Sequence, residues 1–274
     1  MNDFLKSTKE SFEEYVEQYV LQRSSGVLDV EELSKSMSYS LFNGGKRFRP
    51  LLCCAVGEAL GLSQDKLLPF AAAIEFIHTY SLIHDDLPCM DDDSERRGQP
   101  TNHIKFGEDL ALLAGDSLLT EAFALVAKSY AGESSDLVLA LSRAAGWSGM
   151  IRGQVLDLGK GSPLKSLDDL IHLHQLKTGQ LIALCFQGPA LLAGKDDQEY
   201  FQLGLKLGLA FQIKDDILDA HEDGEMSFTS FLGVDETTKY LEKLTKEVNS
   251  EMNRLELKSE PLETLISFNL NREV

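Results

Sequence analysis

Apolar residues recur at helical spacing along most of the chain. Over residues 3–22, Phe4, Leu5, Phe12, Tyr15, Val16 and Tyr19 share one side of a 3.6-residue period, with charged positions between them, which predicts an amphipathic helix. A second helix is predicted over 29–42 and ends at Asn43-Gly44-Gly45. After Lys46-Arg47-Phe48-Arg49-Pro50 an apolar helix spans 51–60 and stops at Gly61, and a longer one fills 65–86. Gly98-Gln99-Pro100 reads as a turn. Further helices are predicted over 108–130, 136–156, 167–178 with Ser166 as N-cap, 180–193, 197–220, 235–257 and 261–269. Within 136–156 the small residues Ala144, Ala145, Gly146 and Gly149 suggest close helix packing, and 221–230 is irregular. No strand alternation and no fixed-period repeat is found. The pattern predicts an all-α fold, one large helical bundle with nearly all-apolar helices at its centre, and a single domain over 1–274.

Charge narrows the functional classes. The chain carries 26 Lys and Arg against 44 Asp and Glu, a formal net charge of −18, which opposes binding to nucleic acid or to an anionic membrane. Bound metal ions would still admit an anionic substrate. The cysteines, Cys53, Cys54, Cys89 and Cys185, lack zinc-ligand spacing and read as reduced thiols of a cytoplasmic protein. Met1 to Lys6 lacks the basic start and apolar stretch of a signal peptide. Phe70–Ile83 is interrupted by Glu75 and His78, short of the roughly 20 apolar residues that span a bilayer. A soluble protein without stable membrane insertion is expected.

The chemistry concentrates at Asp85-Asp86-Leu87-Pro88-Cys89-Met90-Asp91-Asp92-Asp93, at the end of an apolar run. Two unit charges about 4 Å apart repel by roughly 4 kcal/mol at an effective dielectric of 20. Carboxylates so placed are explained by hard divalent cations such as Mg²⁺, which take oxygen ligands and bridge to phosphates. A solvated acidic turn is the plain alternative. A second cluster, Asp215, Asp216 and Asp219, follows the apolar segment Leu203–Phe211 at spacings that share a helix face. The plain alternative there is a charged helix end. Together the two clusters suggest one metal site with two walls. Lys46, Arg47 and Arg49 beside a Gly-Gly break, Arg96 and Arg97 after the first cluster, and Lys177-Thr178-Gly179 at a helix end add donors suited to a diphosphate. Each alone reads as a surface residue.

In this order, Gly44-Gly45-Lys46-Arg47-Phe48-Arg49-Pro50, the first aspartate-rich motif with Arg96-Arg97-Gly98, Lys177-Thr178-Gly179, and Phe211-Gln212 with Asp215-Asp216-Ile217-Leu218-Asp219 resemble the trans-prenyltransferases. This is the isoprenyl diphosphate synthase family, and the resemblance is nearest to its bacterial farnesyl diphosphate synthases, over about 35–235. It implies a helical bundle around a deep central cavity, a homodimer, and three Mg²⁺ ions (with Mn²⁺ as a substitute) bridging an allylic diphosphate to both motifs. By similarity Asp85, Asp86, Asp91, Asp215, Asp216 and Asp219 serve the metals directly or through water. Lys46, Arg49, His78 and Arg97 would hold isopentenyl diphosphate. Arg96, Lys177 and Gln212 would contact the allylic diphosphate, with Thr178 near the developing cation. The implied reaction is head-to-tail condensation of isopentenyl diphosphate with dimethylallyl and geranyl diphosphates to farnesyl diphosphate, with release of diphosphate.

In this family, bulk just upstream of the first motif limits the growing tail. Tyr80 stands five residues before Asp85 and the small Ser81 four before, which resembles the farnesyl type; Tyr80 also reads as an ordinary core aromatic. Geranyl and geranylgeranyl diphosphate remain alternative products. One segment departs from the family: Ala220 to Gly233 is short and has no lysine between Lys214 and Lys239, where a lysine-bearing lid is expected. A true deletion would weaken closure and admits a non-catalytic partner subunit. His84-Asp85, with His103, His172 and His174, also admits a helical His-Asp metal phosphohydrolase.

Overall fold

The computed structural model describes residues 3–23, 31–220 and 226–270. Among them the regular elements are helices apart from one short hairpin, so the all-α expectation holds. In order these are α1 (Asp3–Arg23), α2 (Glu31–Phe42), α3 (Phe48–Ala59), α4 (Gln64–Asp85), β1 (Glu95–Arg96), β2 (Gln99–Pro100), α5 (Asn102–Phe106), α6 (Glu108–Ser129), α7 (Ser134–Ala145) and α8 (Met150–Asp157). There follow α9 (Leu167–His174), a π-helical turn (Gln175–Gly179), α10 (Gln180–Leu192), α11 (Asp197–Leu218), α12 (Phe228–Leu232), α13 (Val234–Arg254) and α14 (Glu260–Leu270).

Several boundaries differ from the periodic reading. α3 starts at Phe48, because Pro50 falls in the first turn, where its missing N–H has no helical partner to lose. The helix expected over 136–156 breaks into α7 and α8. A Cβ on Gly146 or Gly149 would lie 2.6 Å from the carbonyl oxygen of Ser142 or Arg143, so glycines read as packing residues make a sharp bend instead. The turn expected at Gly98-Gln99-Pro100 is centred one residue earlier. Arg97 and Gly98, at φ 57° and 75°, form it, and Glu95 and Arg96 pair antiparallel with Pro100 and Gln99. The short helices α5 and α12 carry too few residues to show a period.

The chain falls into two compact units, parted within α3 and α7: Asp3–Leu51 with Gln64–Val138, and Leu52–Ser63 with Leu139–Val274. In the first, α4 is buried along nearly its whole length and packs on α6, α1 and α2. Pro69 interrupts the α4 hydrogen-bond ladder. The Tyr130 hydroxyl splices the gap, accepting from the Phe70 amide at 3.0 Å and donating to the Lys66 carbonyl at 2.7 Å. Buried Arg47, at φ 52°, reaches Glu75 and Glu13, each at 3.2 Å.

In the second unit, α10 is almost wholly buried and lies against α11. Glycines permit that approach: a Cβ at Gly204 would stand 2.5 Å from the Ala183 Cα, and one at Gly208 2.8 Å from the Gly179 Cα. Leu170, Leu173, Leu209, Ala210, Ile213, Phe228 and Leu244 form an apolar cluster that ties α9, α11, α12 and α13 together.

By length and composition alone α4 and α6 are each apolar enough to cross a bilayer, contrary to the reading of interrupted apolar runs. The apolar side chains of α4 are largely taken up by its unit's core, whereas α6 leaves Leu112 and Leu113 exposed.

Candidate active site

The first aspartate motif begins at the C-terminal end of α4. The Met90 amide donates to the Leu87 carbonyl at 2.8 Å and the Asp91 amide to the Asp85 carbonyl at 2.9 Å, so the chain doubles back and brings Asp91 beside Asp85. Asp86 is differently employed. Its buried carboxylate takes Nε and Nη2 of Arg96 at 2.6 and 2.5 Å, and Arg96 also reaches Asp93 at 3.1 Å. Burial pushes the Asp86 carboxyl up, against the pull of Arg96, which is itself held more firmly protonated by Asp86. Arg96, expected on a substrate diphosphate, is paired in this structure with Asp86 and Asp93.

The first unit also gathers its cations. His78, on α4, is partly buried, and its imidazole is driven well below its usual range, first by burial and then by Arg49, Arg97, Arg96 and Arg47. A neutral imidazole adds no charge of its own beside Arg49 and Arg97, while Arg47 and Arg96 are paired with Glu75 and Asp86. Lys46 is exposed, and Arg49 sits partly buried in the first turn of α3. Arg97 lies over the Gly44-Gly45 break: its Nη1 donates to the Gly44 carbonyl at 3.1 Å, and a Cβ on Gly45 would meet that nitrogen at 2.8 Å. The glycine pair is needed both for its positive φ, 73° and 101°, and for this close approach.

On the cavity question the sequence raised, Tyr80 is 5% exposed, and its hydroxyl is buried without a hydrogen-bond partner. Burial, with Asp85 nearby, pushes that hydroxyl up to about 12. Ser81 donates back to the His78 carbonyl at 2.9 Å.

In the second unit, Lys177 and Thr178 occupy the π-helical turn, a feature found often at functional sites. The Thr178 hydroxyl meets the Gln212 side-chain oxygen at 3.0 Å, and the Gln212 amide nitrogen meets Asp215 at 3.3 Å, so one relay joins the turn to the second aspartate motif. Lys177 is held by Asp157 of α8 at 2.5 Å. Asp216 accepts from the Phe228 amide at 2.6 Å and stands 3.9 Å from the His174 Nε2, an atom that is buried and lacks a hydrogen-bond partner. Asp219 caps α11, exposed, its amide bonded to the Asp215 carbonyl at 2.9 Å.

These donors fit Mg²⁺. Each motif offers hard carboxylate oxygens in ones and twos, and Mg²⁺ is commonly bound by one or two carboxylates with phosphate oxygens and waters completing its shell. Among the described residues no three or more His, Cys, Asp or Glu side chains gather into a ready-made metal cage, at the aspartate motifs or at the histidines. His84 instead bonds the Leu112 carbonyl, His103 meets the Thr101 hydroxyl, and His172 is exposed. The lysine-poor loop expected to serve as a lid falls partly on 221–225, outside the described residues.

Asp157 has no place in the sequence reading, His174 enters it only as a candidate ligand of the His-Asp alternative, and Arg47 is grouped there with Lys46 and Arg49. The signal for Asp157 was present, a lone acid ending a mostly apolar helix twenty residues before Lys177. For Arg47 there was none, because its burial depends on a left-handed backbone that turns it away from Lys46.

The model of the family described as "Polyprenyl synthetase" matches residues 30–235. The chain belongs to that family. This polyprenyl synthetase is 43% identical to the farnesyl diphosphate synthase of Bacillus subtilis (strain 168), over 86% of this chain and 81% of the relative. It is 41% identical to the geranylgeranyl diphosphate synthase of Cyanophora paradoxa, over 86% of each. Among solved structures it resembles a geranyltransferase from Helicobacter pylori complexed with magnesium and isoprenyl diphosphate, with 34% identity, a TM-score of 0.78, and 98% and 94% of the two chains covered. The polyprenyl synthetase is therefore a trans-prenyl diphosphate synthase, a prenyltransferase of isoprenoid biosynthesis.

Proposed function

We propose that this prenyltransferase uses Mg²⁺ to condense isopentenyl diphosphate with dimethylallyl and then geranyl diphosphate, and that it stops at farnesyl diphosphate. Residues 1–274 act as one polyprenyl synthase domain. Asp85 and Asp91, with Asp215 and Asp219, would hold the ions, Asp86 and Asp216 acting beside them. When bound, Mg²⁺ neutralises charge on the departing diphosphate. His78 with Lys46, Arg49 and Arg97 would bind isopentenyl diphosphate through charge-assisted hydrogen bonds to its phosphate oxygens. Arg96 and Lys177 would bind the allylic diphosphate, Lys177 exchanging Asp157 for a phosphate oxygen. Gln212 would orient Asp215, and the Thr178 oxygen would face the allylic cation. Apolar walls would exclude water from that cation. The proton lost at the end passes to the released diphosphate, the strongest base at hand.

The observation that carries the product length is Tyr80, buried five residues before Asp85 on the helix that delivers the motif. Geranylgeranyl diphosphate is the second reading, favoured by the Cyanophora relative at nearly the same identity. Incubation with isopentenyl and dimethylallyl diphosphates and Mg²⁺, with chromatography of the dephosphorylated products, separates them. Farnesol is expected; geranylgeraniol as the main product supports the second reading, and absence of condensation by folded protein removes both.

A homodimer and a cytoplasmic location complete the proposal. Leu112 and Leu113, 46% and 54% exposed on α6, give an apolar face that a second copy would cover.

A further inference from the structure

We propose that His84 and Gly115 are positioning residues for product length: the notch that Gly115 leaves in α6 fixes the His84 imidazole, and the imidazole fixes the depth at which the Tyr80 ring closes the prenyl cavity. This rests on the reading of Tyr80 as the floor beneath the growing tail.

Three observations within the first unit carry it. The Tyr80 hydroxyl is buried and makes no hydrogen bond, so no polar contact anchors the ring, and packing alone decides where it stands. Its packing partner is the imidazole one helical turn on: the Tyr80 and His84 rings meet edge to face, centroids 5.6 Å apart at 76°. His84, unlike Tyr80, is anchored. Its Nε2 lies 3.0 Å from the Leu112 carbonyl of α6, and since a carbonyl only accepts, Nε2 carries the proton. The ring enters α6 where Gly115 has no side chain, and a Cβ there would fall inside the van der Waals envelope of the imidazole, meeting Nε2, Cδ2 and Cε1. The backbone of α6 thereby sets His84, and His84 sets Tyr80.

The directions follow from sterics. A methyl at position 115 pushes the imidazole off α6 toward Tyr80, raising the floor. Removing the imidazole lets the Tyr80 ring fall toward α6, lowering it. Neither change touches the proposed diphosphate ligands, so the product ratio moves separately from the rate.

The test is product analysis of Gly115→Ala, His84→Ala, His84→Asn, Tyr80→Ala and the pairwise combinations, with Mg²⁺, isopentenyl diphosphate and dimethylallyl diphosphate. Gly115→Ala should raise the geranyl-to-farnesyl product ratio about tenfold, the scale of a methylene-sized change in an apolar pocket. His84→Ala and His84→Asn should raise the geranylgeranyl fraction, and His84→Ala with Gly115→Ala should return toward farnesyl. In a Tyr80→Ala background the position 84 and 115 changes should have no further effect. Should Gly115→Ala fail to fold, the two His84 variants still decide. If Tyr80→Ala lengthens the product while folded His84 variants keep the wild-type ratio, the inference is overturned and the floor reading stands; it is equally overturned if the shifts persist unchanged without the Tyr80 ring. If Tyr80→Ala leaves the length unaltered, the floor reading itself falls.

Discussion

The Thr178 hydroxyl lies 3.0 Å from the side-chain oxygen of Gln212, which leaves the Gln212 amide nitrogen for Asp215 at 3.3 Å. The bond sets which way the amide faces. Replacing Gln212 by Glu would turn a negative group on Asp215, and the loss of such an orienting partner typically costs about 10–100-fold in metal affinity. The Mg²⁺ concentration giving half-maximal activity in Gln212→Glu should rise by that factor, with the far-UV circular dichroism unchanged. An unshifted Mg²⁺ titration would show that the relay does not orient the motif.

Arg47 and Glu75 form a buried pair at 3.2 Å, both side chains nearly inaccessible. Removing one partner strands the other charge, at a cost of about 3–5 kcal/mol. Arg47→Ala should therefore unfold at markedly lower urea concentration. Lys46→Ala, its exposed neighbour, should unfold like the parent while raising the KM for isopentenyl diphosphate.

Protonation gives a third expectation. Burial lowers the His174 pKa from 6.5 to about 4, Asp157 and Gln212 opposing the shift and Lys177 adding to it. The unfolded chain thus takes up the proton first. Above about pH 6.5 both states are neutral and stability is complete; as pH falls toward 4 it is lost, by about 3 kcal/mol over the whole shift. His78, lowered by burial and by four arginines, acts with the same sign. Melting temperatures measured from pH 7 to pH 4 should decline, and His174→Gln should flatten the slope. A parallel slope in that variant would assign the acid sensitivity elsewhere.

Leu112 and Leu113 predict assembly. Leu113→Arg should convert the protein from dimer to monomer in sedimentation velocity. A wild-type protein that is itself monomeric would remove the homodimer proposal.

Much of this was legible beforehand. The apolar period of α4 and α11 and the aspartates at their ends are local properties, and the sequence carries them directly. What failed depends on contacts between distant residues or on backbone detail. Gly146 and Gly149 serve equally for close packing or for a break, and only the nearby carbonyls decide. Ser227 caps α12 through Ser230 instead of the usual Glu or Gln, so its box went unread. The site residues were found through their motifs, but their employment was not: Asp86 holding Arg96 and Asp157 holding Lys177 are pairings of side chains 10 and 20 positions apart. Two-residue strands are too short for alternation to register.

The splice of Tyr130 into α4 has a consequence for the order in which the chain takes shape. α4 cannot seal its own ladder around Pro69; the missing link is an oxygen 64 residues beyond Lys66. The first turns of α4 are therefore completed only by a residue that follows α6 in the chain. The helix that delivers the aspartates is completed as one half of a hairpin with α6. Tyr130→Phe, which leaves the Phe70 amide and the Lys66 carbonyl without their link, should lower stability by about 1–3 kcal/mol in urea unfolding and slow refolding as well.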